Sequence, residues 1–407
     1  MKSPILQTRR CFIQRTSLLA GAIASTSLNN VFGQSTIADR NVRVNNMEVF
    51  TVSVTDRTNW IIVRLTGSNG VTGLGEGSLG RRTELNELNQ FYRLVEGESA
   101  FDVQQYRQRA WQLASSGDRA LATAFSAIEQ ALWDLIAKSL QVPFYDLAGG
   151  ILHDSLPVYA NINRATSNRR PEGFADNAER AVADGFKSIK AAPFDGFPSL
   201  DSPLQEVQAA RQLGVNCIYA MRDRVGDDIE IKIDAHSFFD TQMSIDVAHE
   251  LEAANLSWYE EPVSPTQTEN TKTIREAISQ VLAGGEFLFG MEGFRPLCEQ
   301  RAVDIIMPDI KHCGGMWEAF KISALAEIFN VLVSPHNPSG PVSTAASVAL
   351  CAALPNFEIL EYQWGEQSWR SSLIEPVEQF VNGNIEVSDQ PGFGINLNQR
   401  VLEDHRI

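Results

Sequence analysis

Cysteine is scarce in this chain: five among 407 residues, with no CxxC and no paired spacing. That argues against a disulfide-stapled scaffold or a cysteine-ligated metal, and the thiols are expected to be buried and free. Positive charge is scarce too. Lys and Arg number 34 against 50 Asp and Glu, a formal charge of −16. Such a balance argues against nucleic acid or an anionic membrane surface as partner, and an anionic ligand would need a metal or a few placed cations. No apolar run is long enough to span a membrane permanently. Glycine is concentrated between Gly67 and Gly80, six residues with no Lys-Ser/Thr following. That argues against a phosphate loop, and a mobile loop is expected there instead, carrying part of the substrate specificity.

The N-terminus stands apart. Arg9-Arg10 precedes the short apolar run Leu18–Ala24, and residues 1–33 hold no acid. This segment resembles a twin-arginine export signal, which implies a periplasmic protein and removes 1–33 from the fold argument.

In the body, residues 42–150 read as two strands in a hairpin followed by helices over 84–95, 102–114 and 119–140, an α+β domain. From Leu156 onward short apolar runs recur, each ending in a chemically active residue. Lys190 closes the second run, and Asp234, Glu260, Glu286, Asp309, His336 and Glu361 close the next six at spacings of 23 to 27 residues. That period fits one strand and one helix, the unit of a parallel barrel whose strand ends converge on one active-site face. The fold expected is α/β, a TIM-like (β/α) barrel over 155–365. The α+β domain over 42–150 caps it, and the segment 366–407 returns to complete that cap.

Three carboxylates on consecutive strands, Asp234, Glu260 and Glu286, suit a hard divalent cation, Mg²⁺ first. Lys232, one layer below Asp234 on the same face, is a candidate to pair with them. Asp309 beside His336 is the arrangement expected of a general base. Strand alternation puts His236 on the side of Asp234. Lys190 is suited to hold a substrate carboxylate or to act as a second base. Glu361, if protonated, could donate to a developing enolate. Arg81, Arg82, Arg164 and His312 are candidate substrate contacts.

The chain from about 42 to 400 resembles the enolase superfamily, mandelate racemase subgroup. The resemblance rests on Tyr259-Glu260-Glu261-Pro262, Gly284-Gly285-Glu286, Met307-Pro308-Asp309 with Gly314-Gly315, and a histidine ending the seventh strand. It implies Asp234, Glu260 and Glu286 as Mg²⁺ ligands, Asp309–His336 as base and Glu361 as electrophile on the carboxylate. Racemases of the group carry Lys-x-Lys on the second strand, whereas here Lys190-Ala191-Ala192 lacks the second lysine. Asp234-Ala235-His236 instead is similar to the Asp-x-His of sugar-acid dehydratases, where that histidine acts as general acid. The resemblance therefore implies a Mg²⁺-dependent lyase acting on a small anionic sugar acid and yielding a 2-keto-3-deoxy acid. A racemase, epimerase or cycloisomerase, or an exported binder without catalysis, are the alternatives. No nucleic-acid or membrane partner is expected, and barrels of this kind often form homo-oligomers.

Overall fold

The computed structural model describes residues 41–80 and 85–407. The export-signal reading of 1–33 and the candidates Arg81 and Arg82 lie outside the described residues.

The chain opens with an antiparallel sheet of three strands, β1 (Val44–Ser53), β2 (Asn59–Gly67) and β3 (Thr72–Glu76). Helices α1 (Leu85–Tyr92), α2 (Val103–Ala114), α3 (Arg119–Leu140) and the short α4 (Phe144–Leu147) follow. The third strand corrects the expected mobile loop over 67–80. Its glycines serve packing: a Cβ at Gly73 would lie 2.1 Å from the Ala131 carbonyl and one at Gly75 2.1 Å from that of Ala127. Only a strand without side chains there can lie so close to α3, and the reduced side chains that suggest flexibility in sequence produce contact instead. Helix α3 starts at Asp118, whose side chain accepts from the Ala120 N–H. It is apolar nearly all round because it packs on the sheet on one side and on the barrel on another.

The barrel alternates β4 (Ser155–Asn161), α5 (Pro171–Ala183), β5 (Ser188–Ala191), α6 (Leu204–Val225), β6 (Glu230–Asp234), α7 (Thr241–Glu250), β7 (Trp258–Glu260) and α8 (Thr268–Ala277). It continues through β8 (Leu282–Gly284), α9 (Gly290–Glu299), β9 (Ile305–Ile306), α10 (Gly315–Ile328), β10 (Leu332–Val333), α11 (Pro341–Cys351) and β11 (Leu360–Gln363). From β4 to β10 each strand pairs in parallel with the next, and β11 returns to pair with β4. Between β10 and β11 the ring is held by Val333 N to Asn356 O and Glu358 N to Val333 O, both 2.9 Å.

Alternation along the strands sorts the side chains. Ile231 and Ile233 of β6 pack outward against the helices, while Lys232 and Asp234 point into the lumen. A small cluster of Tyr159, Trp258, Ala283, Ile305, Met307 and Ile359 fills the barrel interior below the site. Lys232 does not pair with the acids above it. Its ammonium bonds Glu230 and the hydroxyls of Ser188 and Ser257, because the layer below offers these partners closer at hand.

After β11 the described residues form no further barrel helix. The chain runs through β12 (Ile374–Glu375), β13 (Phe380–Val381), β14 (Asn384–Glu386), β15 (Asn396–Leu397) and α12 (Gln399–His405). β14 pairs antiparallel with the start of β4. Gly392 and Phe393 bond Val142, Phe144 and Asp134 of the N-terminal region, and Ile407 N reaches Thr51 O. The cap is locked to α10 by a buried acid on α3. Glu129 accepts from the backbone of Met316 and Trp317 and from Arg107, which also pairs with Glu318. Cys217, Cys298, Cys313 and Cys351 are free and buried. No described helix is long and apolar enough to cross a membrane.

Candidate active site

The C-terminal strand ends surround a cavity of about 280 Å³, just below the ~300–1,000 Å³ usual for small-molecule sites. Lys190, Asp234, His236, Glu286, His312, His336 and Arg164 line it. Glu260, Asp309 and Glu361 are not on its wall. They sit fully buried behind it and act on residues that are.

Lys190, at the end of β5, stands at the centre of the acids. Its ammonium donates to Glu260 at 2.8 Å and lies 3.2 Å from Glu361 and 3.7 Å from Asp234. Burial opposes its charge, but Glu260, Glu361 and Asp234 outweigh this and hold the pKa well above the ordinary lysine range. Glu260, in register with Asp234 across β6 and β7, also takes a hydrogen bond from the Trp258 indole at 3.1 Å. Burial and then the Asp234 charge push its carboxyl upward.

Glu361 differs from its expected state. Asn161 donates to it at 2.6 Å and the Asn337 N–H at 2.8 Å. Burial alone would raise its pKa, yet Lys190, His336 and these donors lower it. In this arrangement it is an ionised acceptor rather than a proton donor.

His336 follows β10. Its Nδ1 is 2.8 Å from Asp309 Oδ2, and its Nε2 lies 3.0 Å from Glu286 Oε2. Burial disfavours the imidazolium, but Glu286, Glu361 and Asp309 hold the proton and push the pKa up to about 10. Asp309 is itself gripped by the Lys311 N–H at 2.7 Å and the Lys311 ammonium at 3.2 Å. His312 is turned differently. Its Nδ1 is 2.8 Å from the Thr123 hydroxyl of the cap, and burial drives its pKa down to about 3. It therefore presents a neutral ring to the cavity.

His236 reaches the site by a route that strand alternation does not describe. β6 ends at Asp234, and His236 and Ser237 take left-handed conformations, φ 45° and 59°. The His236 N–H caps Asp234 Oδ1 at 2.9 Å, and the turn folds the ring back so that Nε2 lies 3.1 Å from Asp234 Oδ2. Its other nitrogen, Nδ1, is 2.5 Å from Asp195 Oδ1.

Of the three carboxylates expected to hold a hard cation, Asp234 and Glu286 line the cavity and Glu260 lies in strand register beside Asp234. Ligand atoms of Asp234, His236 and Glu286 all lie within 4.8 Å of one another. Glu286 is buried on the cavity wall with its Oε2 against His336 Nε2 at 3.0 Å, and as an anionic oxygen donor beside Asp234 it suits a hard cation. Glu260, expected as the third ligand, accepts from the Lys190 ammonium and the Trp258 indole in this structure. Arg164 is also committed, 3.2 Å from Glu366. Sequence reading missed Asn161, Asp195, Lys311 and Phe287, whose ring lines the cavity 5.3 Å from that of His312 and 5.9 Å from that of His336. Lys311 lies inside the Asp309–His312 motif and could have been noticed there. Asp195 had no signal, since it falls past the end of its strand.

The sequence matches the family model described as Mandelate racemase / muconate lactonizing enzyme, N-terminal domain, over residues 34–149, and that described as Enolase C-terminal domain-like over 173–401. The chain belongs to the mandelate racemase/muconate lactonizing enzyme family of the enolase superfamily. A D-xylonate dehydratase of Haloferax volcanii is 32% identical over 373 residues, 88% of each chain. A D-gluconate dehydratase of Thermoproteus tenax is 35% identical over 356 residues, 85% of this chain and 69% of the relative. Among solved structures, a mandelate racemase/muconate lactonizing enzyme from Jannaschia sp. CCS1 superposes with a TM-score of 0.80 at 27% identity, covering 90% of this chain and 98% of that one. A member of the enolase superfamily from Salmonella Typhimurium gives 0.81 at 25%, covering 89% and 98%. This family member is an enzyme of the lyase class.

Proposed function

We propose that the enzyme dehydrates a sugar acid, an aldonate or aldarate, with Mg²⁺, removing the proton α to the carboxylate and the 3-hydroxyl to give a 2-keto-3-deoxy acid. The observation that carries this reading is the pair of histidines lining one cavity, from the ends of β6 and β10. Each is held at Nδ1 by an aspartate, and Asp234 and Glu286 lie against their other nitrogens. Elimination needs one group to take a proton and another to give one. The relatives named for D-xylonate and D-gluconate dehydration support the substrate class.

Asp234 and Glu286, with Glu260 beside them in strand register, would hold Mg²⁺. When bound, the cation supplies positive charge against the enediolate that forms as the α-proton leaves. The chain's own residues do the remaining work. Lys190 places an ammonium toward the substrate carboxylate. His336 accepts the α-proton at Nε2, with Asp309 fixing its Nδ1–H. With Glu286 committed to a cation, the pull that holds a proton on His336 would be weaker. His236 gives a proton to the departing hydroxyl, which leaves as water.

Lys190 is a poor second base here, because three carboxylates surround its ammonium. That weighs against a two-base racemase. The reading is tested by supplying aldonates and aldarates with Mg²⁺ and assaying keto-acid formation. Formation of a keto acid from at least one of them is the expected result, and its absence across the panel contradicts the reading. Residues 1–33 are read as an export signal, which periplasmic recovery of activity would support and retention in the cytoplasm would contradict.

A further inference from the structure

Asp195 does not line the cavity, yet it makes the shortest contact to a histidine that does, 2.5 Å from its Oδ1 to His236 Nδ1. The aspartate is itself clamped. Its Oδ2 accepts from the Asn163 amide at 2.8 Å and lies 3.4 Å from an Arg169 guanidinium nitrogen. Arg169 also bonds the Asn163 side chain at 2.6 Å and the Ala192 carbonyl, and it stacks on Phe174 with its carbon 4.6 Å from the ring centroid. The framework thus ties the end of β4 to the end of β5 around one carboxylate.

Strand alternation does not direct His236. It sits in a left-handed turn beyond the strand, so side-chain direction is not imposed by the sheet. The partner on its Nδ1 decides where its Nε2 points.

We infer that Asp195 is the positioning residue for proton delivery to the leaving group, an inference that rests on the dehydratase reading above. Asp195 accepts the His236 Nδ1–H and so keeps Nε2, which faces Asp234 Oδ2 at 3.1 Å on the cavity lining, turned to where a substrate's C3 oxygen would lie. In the step it serves, the C2–H pair becomes the C2=C3 bond while the proton goes to His336. The C3–O bond breaks with its electron pair on oxygen, and that oxygen takes the His236 proton and departs as water. The enol then takes a proton at C3 and loses its hydroxyl proton to become the ketone, so the sum is loss of one water.

The test compares two leaving groups. Whichever of D-xylonate, D-gluconate and D-galactonate the wild-type enzyme turns over with Mg²⁺ is assayed beside its 3-deoxy-3-fluoro analogue, read as keto acid and as released fluoride. Fluoride departs without a proton, so only the hydroxyl substrate depends on His236. Asp195→Asn is expected to lower kcat on the hydroxyl substrate about 100-fold with KM little changed, while fluoride release falls by less than about threefold on the same principle of proton-independent departure. Asp195→Ser, which also cannot hold the imidazole as an anion, should show the same selectivity. Equal losses on both substrates, or no loss on either, overturn the inference while leaving the dehydratase reading intact. A wild-type enzyme that eliminates neither water nor fluoride overturns that reading and this inference with it. The ratio of the two rates is internal to each variant and does not depend on its folded fraction.

Discussion

Asp309 and His336 meet at 2.8 Å although they close neighbouring barrel strands, and no described group other than Glu286 lies so near the free nitrogen of the ring. In the proposed mechanism this pair makes His336 the base. His336→Asn should keep the fold, seen by circular dichroism, and lose roughly 10²–10⁴ in kcat. Asp309→Asn should lose less than this, because the base remains but its orientation and its anionic partner do not. Normal turnover by His336→Asn would remove the assignment.

Lys190 neutralises buried acids. Lys190→Met would leave Glu260 and Glu361 facing one another without their cation. A loss of about 3–5 kcal/mol is expected, the usual cost of breaking a buried pair from one side. Urea denaturation measures it. Added Mg²⁺ should restore part of the loss, since a ligand that binds the folded state stabilises it.

Stability should depend on pH through His312. Burial lowers its pKa to about 3 in the folded protein, whereas an unfolded chain takes up that proton near ~6.5. The unfolded state therefore binds more protons between these values. Stability is full above the upper value and is lost as pH falls toward the lower one. His312→Gln should flatten the urea midpoint against pH across that window, and an unchanged slope would contradict the assignment.

Gly73 is a packing residue. Gly73→Ala would drive a methyl to within 2.1 Å of the Ala131 carbonyl, and a loss of about 1–3 kcal/mol is expected from such overpacking. Gly70→Ala, with nothing within 4 Å but φ 79°, should cost about 1 kcal/mol from backbone strain alone. Thermal melting of the two variants separates close approach from strain.

The barrel was legible because each strand end repeats one chemical pattern at a regular interval, and Asp234, Glu286, Asp309 and His336 carried that pattern through. What escaped depends on three-dimensional partners. Gly73 and Gly75 look like flexibility in sequence and become strand only through the approach of α3. Lys232 and Lys190 look alike as inward lysines, but Lys232 finds Glu230 and two serines, whereas Lys190 finds the acids. His236 keeps its expected neighbour by a turn rather than by alternation. Asp195 was invisible because nothing local links it to His236, 41 residues away.

The most direct test of the account follows the α-proton and the 3-hydroxyl together. The enzyme is incubated with Mg²⁺ and an aldonate in D₂O and observed by proton NMR. A new C3 methylene carrying one deuterium, with the C2 proton lost, is the predicted result. Deuterium entering at C2 with the 3-hydroxyl retained would mean that proton abstraction occurs without elimination and would contradict the account.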